Sequence, residues 1–93
     1  MTEEDYKQLL RHNFANQVDE VYRCVEKTLL TMITWSDGYM PINPLDESRF
    51  NESIKVAIAA SQRLQENYPF IRFGVDADYS TATGRLYYHY ATH

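Results

Sequence analysis

Apolar residues recur every three or four positions across the first third of the chain, and no glycine or proline interrupts them. Residues at this spacing lie on one side of an α-helix. The start is acidic, and Thr2 stands three residues before Asp5 in the pattern of a capping box. We therefore predict a long first helix over about residues 3–34. Its apolar face would hold Tyr6, Leu10, Phe14, Val18, Val21, Val25, Leu29 and Met32.

The length of this helix raises the question of what covers it. About 30 helical residues extend about 45 Å, whereas a globular chain of this size is about 30–35 Å across. Two alternatives stay open. In the first, which we favour, the protein is a homodimer whose two copies pack their long helices together or join their hairpins into a four-stranded sheet. In the second, the helix breaks near residues 12–16, where Asn13 or Asn16 would cap a new segment.

Residues 35–44, WSDGYMPINP, combine turn-forming residues with apolar ones. Asp-Gly and Asn-Pro favour a loop, while tryptophan, tyrosine and methionine are enriched in the cores of protein interfaces. We predict a loop that presents Tyr39 and Met40 to a partner. Trp35 has two interpretations, because it either joins this partner-binding surface or folds back beneath the helices.

The rest of the chain predicts a second helix and a β-hairpin. The helix spans about residues 46–66, with Asp46 as its cap. Two stretches of alternating polarity, FIRFGVDADY and RLYYHYA, flank a turn at STATG. Pairing Asp78 with Arg85 joins the apolar positions on one face. The predicted fold class is therefore α+β: residues 1–93 form one α-α-β-β domain, with an antiparallel hairpin packed on two helices.

This hairpin register also defines an outer face that points away from the helices. Tyr87 and His89 lie on that face, and His89 is expected to cover the bare backbone of Gly74. The chain therefore ends on a surface with exposed aromatic rings.

The charge balance limits the possible partners and location. The net charge is −4, from 13 acidic and 9 basic residues, and no basic run is present. Nucleic acids and anionic membranes normally require such a run. The single cysteine, Cys24, cannot form an internal disulfide and so favours a reducing compartment. Neither a signal peptide nor a membrane span is visible, and we expect a cytoplasmic protein.

No catalytic pattern stands out among the potentially reactive residues. Cys24 lacks histidine and carboxylate partners at a recognisable spacing, and no serine lies in a nucleophile elbow. Asp76, Asp78 and His89 share the outer face, but a second histidine at ligand spacing is missing. We predict no enzyme activity, no cofactor and no metal.

The leading hypothesis is therefore a small interaction protein, an adaptor or inhibitor that works by occupying a partner's surface. Its profile resembles that of small accessory proteins of phages and mobile elements. The predicted partner-binding residues are Trp35, Tyr39, Met40, Tyr87 and His89.

Two alternatives involve nucleic acid. The outer hairpin face could bind it directly, by stacking bases on aromatic rings and pairing phosphates with arginines. The residues that would do so are Arg72, Arg85, Tyr87 and His89. The acidic chain could instead mimic nucleic acid on another protein.

Overall fold

The computed structural model describes residues 1–42 and 47–90. Along the chain they form helix α1 (Glu3–Leu30), strand β1 (Gly38–Ile42), a 3-10 turn (Glu47–Arg49), helix α2 (Phe50–Asn67) and strands β2 (Ile71–Asp78) and β3 (Thr83–Tyr90). The α+β class, the long first helix and the C-terminal hairpin are confirmed. Strand β1 lies in the segment predicted to be a loop. The predicted cap of the second helix, Asp46, lies outside the described residues.

Helix α1 is unbroken through residues 12–16. Asn16 does not cap a new segment there; its side-chain amide instead contacts the His12 ring one turn earlier, at 3.2 Å. The capping box is confirmed, since the Asp5 amide donates to Thr2 Oγ1 at 3.1 Å and the Thr2 amide donates to Asp5 Oδ2 at 3.4 Å. The helix ends at Leu30 rather than near residue 34. The threonines and the isoleucine that follow Leu30 are β-branched and have low helix propensity.

The sheet is antiparallel, with strand order β1-β3-β2. Its β1 edge contains Pro41, which pairs opposite Arg85. Proline is tolerated in a strand at the edge of a sheet, where its missing N–H costs no ladder bond. Because side chains alternate along a strand, Met40 faces the helices while Tyr39 faces away from them.

The predicted register of the hairpin was wrong by two residues. Asp76, rather than Asp78, pairs with Arg85. A shift of two leaves every side chain on its predicted face, because the period of a strand is two. The ring that lies over Gly74 is consequently that of Tyr87 and not of His89.

A turn at the end of β2 explains the shifted register. The Asp78 carboxylate accepts hydrogen bonds from the Ser80 amide at 3.0 Å and from the Ser80 hydroxyl at 2.6 Å. These bonds close an Asx turn and hold the pKa of Asp78 below its ordinary value. Ala82 completes the turn with a φ of 51°. Gly84, predicted to lie in the turn, belongs to β3 instead.

The edge of β2 is partly closed by α2. The Gln65 side-chain amide donates to the Ile71 carbonyl at 2.8 Å, and its oxygen accepts from the Phe73 amide at 3.1 Å. These two contacts replace the bonds that a further strand would make.

Both helices pack on the same face of the sheet. Val25 of α1, Leu64 of α2 and Leu86 of β3 are fully buried in one cluster. The two helices run in the same direction, since Asp19 pairs with Arg63 and the later Glu26 bonds to the later Tyr68. Because of this shared direction, the start of α1 extends beyond the body of the protein. The whole molecule measures 50 Å along its longest axis.

Helix α1 therefore has two unequal parts. Every residue of its segment 3–17, here called the arm, is exposed. The segment 18–30, here called the packed half, supplies the buried residues Tyr22 and Val25. The expected excess length of the helix is real, and it lies at the N-terminal end.

Candidate functional site

The face of the sheet turned away from the helices, here called the outer face, is the candidate site. All three strands contribute to it, because alternate residues of each strand point away from the helices. Its side chains are those of Tyr39 from β1, Arg72 and Asp76 from β2, and Arg85, Tyr87 and His89 from β3.

Aromatic rings form the centre of the outer face. Tyr39 and Tyr87 are direct cross-strand neighbours, and 59% of the surface of Tyr39 is exposed. The rings of Tyr87 and His89 are stacked, with centroids 6.2 Å apart and planes 6° from parallel. Two neighbouring strands thus present three rings side by side.

Gly74 makes room for this arrangement. It lies opposite Tyr87 in the ladder, and a Cβ atom at position 74 would collide with the far end of the Tyr87 ring. The absence of a side chain at Gly74 therefore lets the Tyr87 ring lie flat across the sheet. Close approach of another group is one of the few reasons for a glycine to occupy the interior of a strand.

The charges of the outer face are nearly balanced. Arg85 Nε lies 3.1 Å from Asp76 Oδ2, and both side chains are about half exposed. The Arg85 guanidinium also lies 5.5 Å from the centroid of the Tyr39 ring. Arg72 stands opposite His89 and makes no ion pair within residues 1–42 and 47–90. The outer face therefore offers one uncompensated guanidinium rather than a cationic track.

The surface is shallow and open. A depression of about 530 Å³ extends over Tyr39, Arg85, Tyr87 and His89. A second depression, of about 360 Å³, adjoins it along Tyr39, Asp76 and Arg85. Such a broad aromatic surface suits contact with another macromolecule better than enclosure of a small substrate.

Two predicted partner-binding residues lie elsewhere. Trp35 folds back toward the core, with its ring 4.3 Å from that of Tyr90 and its Nε1 donating to Asp37 Oδ1 at 2.6 Å. Met40 was expected to be exposed, but it faces inward and packs against the core cluster. The physical reason is that residues 38–42 are a strand, and a strand sends only alternate side chains to one side.

The residues predicted for nucleic-acid contact do share a face. Arg72, Arg85, Tyr87 and His89 all lie on the outer face, as the alternation predicts. Reasoning from the sequence did not place Tyr39 beside Tyr87, and it paired Arg85 with the wrong aspartate. The apolar run YMPI after Gly38 was the available signal for β1, but the turn-forming residues within and around it concealed that signal.

A second polar cluster joins the two helices. Tyr68 Oη donates to Glu26 at 2.6 Å, and Asn67 donates to Tyr22 Oη at 2.8 Å. The hydrogen bond to Glu26 raises the pKa of Tyr68 to about 12 and lowers the pKa of Glu26 below its ordinary value. The Arg63 guanidinium stacks 4.1 Å from the centroid of the Tyr22 ring. These contacts hold the packed half of α1 against α2, and we assign them a structural role.

Among residues 1–42 and 47–90, no three histidine, cysteine, aspartate or glutamate side chains come together in a way that would hold a metal ion. Within the same described ranges, neither helix is long and apolar enough to cross a membrane. The chain matches no protein-family model, no curated protein and no solved structure.

Proposed function

We propose that this protein is a non-catalytic interaction module, an adaptor or inhibitor, that binds a partner protein through the outer face. The observation that carries the proposal is the paired Tyr39 and Tyr87 on an exposed sheet surface, with Arg85 beside them. Tyrosine and arginine are the residue types that most often dominate the energy of a protein interface. A cytoplasmic location belongs to the same proposal and rests on the single cysteine.

The order of these side chains before binding supports the proposal. Tyr87 is held between Gly74 and His89, and Arg85 is held by Asp76. A side chain that is already fixed loses less conformational entropy on binding, so more of its contact energy appears as affinity. The phenolic hydroxyls and Arg72 supply hydrogen-bond donors. A fitting partner surface is therefore apolar, with carbonyl or carboxylate acceptors.

A protein partner is favoured over nucleic acid because of the acidic residues. Asp76 neutralises Arg85 within the outer face, and the ionised Asp78 lies at its end. Phosphate contacts depend on unpaired cations and weaken steeply with salt, and one free guanidinium supports few of them.

Quantitative capture from a lysate of the source cells tests the proposal. Two variants disturb the outer face: Tyr39→Ala removes a ring, and Gly74→Ala displaces the Tyr87 ring while retaining it. The matched control is Tyr79→Ala, because Tyr79 is 66% exposed and its ring contacts Phe50 at the turn instead. Thermal melting of each variant verifies its fold.

We expect one partner to be retained by the wild type and the control. The two outer-face variants should bind it about 30-fold more weakly, as at a hot spot worth about 2 kcal/mol. Equal affinity in all four proteins would refute the proposal. Binding to a single-stranded oligonucleotide that Arg72→Ala abolishes, and that salt weakens, would replace it with the nucleic-acid alternative.

A further inference from the structure

The arm carries an apolar row that the rest of the chain leaves exposed. Tyr6, Leu10 and Phe14 succeed one another at intervals of four residues and are 52%, 48% and 43% exposed. Monomeric proteins rarely leave a contiguous apolar row on a protruding element. The arm is also a well-formed helix, capped at Thr2 and supported by a Lys7–Glu3 pair at 3.4 Å.

The two ends of this row differ in charge. At its outer end the first turn carries Glu3, Glu4 and Asp5. At its inner end the arm meets α2 at a groove of about 350 Å³, which Phe14 and Val56 line together with Arg49, Glu52 and Lys55. The surface is therefore acidic at its outer end and apolar in the middle, and its inner end presents Lys55, which makes no ion pair within residues 1–42 and 47–90.

Such a surface is complementary to the same surface of a second copy when the two copies are related by a two-fold axis perpendicular to the helix. A two-fold axis near Leu10 brings Tyr6 of each copy onto Phe14 of the other, since each lies four residues from Leu10. The same rotation carries the acidic first turn of each copy toward Lys55 of the other. A parallel arrangement would instead place acid against acid, and isologous two-fold pairing is the commonest form of self-association.

We propose that two copies of this chain associate by packing their arms antiparallel, with Leu10 at the centre and the first turn of each copy against Lys55 of the other. This surface belongs to α1 and α2, on the opposite side of the sheet from the outer face. The dimer and the proposed partner site are therefore independent, and failure of one leaves the other standing.

Sedimentation velocity of the full chain, from micromolar to about millimolar concentration, tests the dimer. The variant Leu10→Asp places a charge at the centre of the contact. Its matched control is Ile33→Asp, because Ile33 is 100% exposed and lies outside the arm. We expect Leu10→Asp to raise the dimer dissociation constant by about 100-fold or more, and Ile33→Asp to leave it unchanged. Circular dichroism should show that both variants stay folded.

A charge exchange tests the antiparallel orientation. Glu4→Lys alone and Lys55→Glu alone should each weaken the dimer by about threefold to tenfold. The double variant should recover the wild-type dissociation constant, because its charges are complementary again. A wild type that stays monomeric at millimolar concentration, or a Leu10→Asp variant that matches Ile33→Asp, would overturn the dimer. A double variant weaker than either single one would overturn the orientation.

Discussion

The arm and the packed half of α1 are continuous in sequence pattern but not in environment. Both have apolar residues at intervals of three or four. In the packed half Val25 is 1% exposed, whereas Leu10 in the arm is 48% exposed. Periodicity therefore shows which side of a helix is apolar, while the position of the next helix decides what covers that side.

The connection through β1 explains the difference. Because α1 and α2 run in the same direction, the start of α2 at Phe50 determines where α1 gains a neighbour. The first turns of α2 line one groove together with Leu10, Asn13, Phe14 and Gln17 of α1. The turns of α1 before Leu10 precede this groove and extend past the body of the protein.

The largest contrast should come from truncating one apolar side chain in each half. Val25→Ala opens a cavity in the core, and we expect it to lower the free energy of unfolding by about 2 kcal/mol. Leu10→Ala should change that free energy by no more than about 0.5 kcal/mol in dilute protein. Urea denaturation at low micromolar concentration measures both. If both variants lost the same free energy of unfolding at that concentration, the arm would be covered within the monomer.

Loss of the helix cap should affect the arm alone. Thr2→Ala removes the acceptor for the Asp5 amide, which typically costs about 1 kcal/mol of local helix stability. Hydrogen exchange should quicken at Asp5 and Tyr6 while the amide of Val25 exchanges as before. If exchange quickened throughout α1, the helix would be one cooperative unit and the distinction between its halves would fail.

The smallest expected effect is a pH dependence of the free energy of unfolding that arises from the packed half alone. Tyr68 has a pKa raised to about 12, so its stabilising contribution is complete below the ordinary value of 10 and is lost between pH 10 and 12. Glu26 has a lowered pKa, so its contribution holds above pH 4.5 and is lost as the pH falls below that value. Both groups are solvent-accessible, and screening keeps the effect small.

Absorbance at the tyrosinate band and melting temperature, followed across both pH ranges, measure this dependence. The variant Tyr68→Phe removes the hydrogen bond. It should therefore reduce the change in melting temperature with pH in both the acidic and the alkaline range. A wild-type profile identical to that of Tyr68→Phe would show that the bond to Glu26 does not link the helices.

Some of this architecture was predictable because it depends on local periodicity. The helical face of α1, the capping box at Thr2, and the grouping of Tyr87 with His89 all follow from spacing alone. The hairpin register did not, because the Asp78 carboxylate closes a turn with Ser80 and is not free to face Arg85. Whether the Asp78 carboxylate binds Ser80 or Arg85 is decided by the geometry of the turn. The periodicity of the sequence does not describe that geometry.

Strand β1 was missed for a different reason. Gly38 and Pro41 are turn-forming residues, and only pairing with β3, a distant segment of the chain, turns them into an edge strand. The candidate site inherited this error, because Tyr39 reaches the outer face through that pairing while Met40 is turned inward. Long-range pairing of this kind depends on the whole fold and leaves a weak local signal.

The Gln65 amide has a consequence for how this molecule behaves at high concentration. Fibres grow when a bare peptide edge recruits the same edge of another molecule. Here a helix side chain already supplies Ile71 and Phe73 with the bonds that an incoming polypeptide would offer. Strand-by-strand growth therefore finds no free starting point at this end of β2, where one side-chain amide occupies the positions that an incoming strand would use.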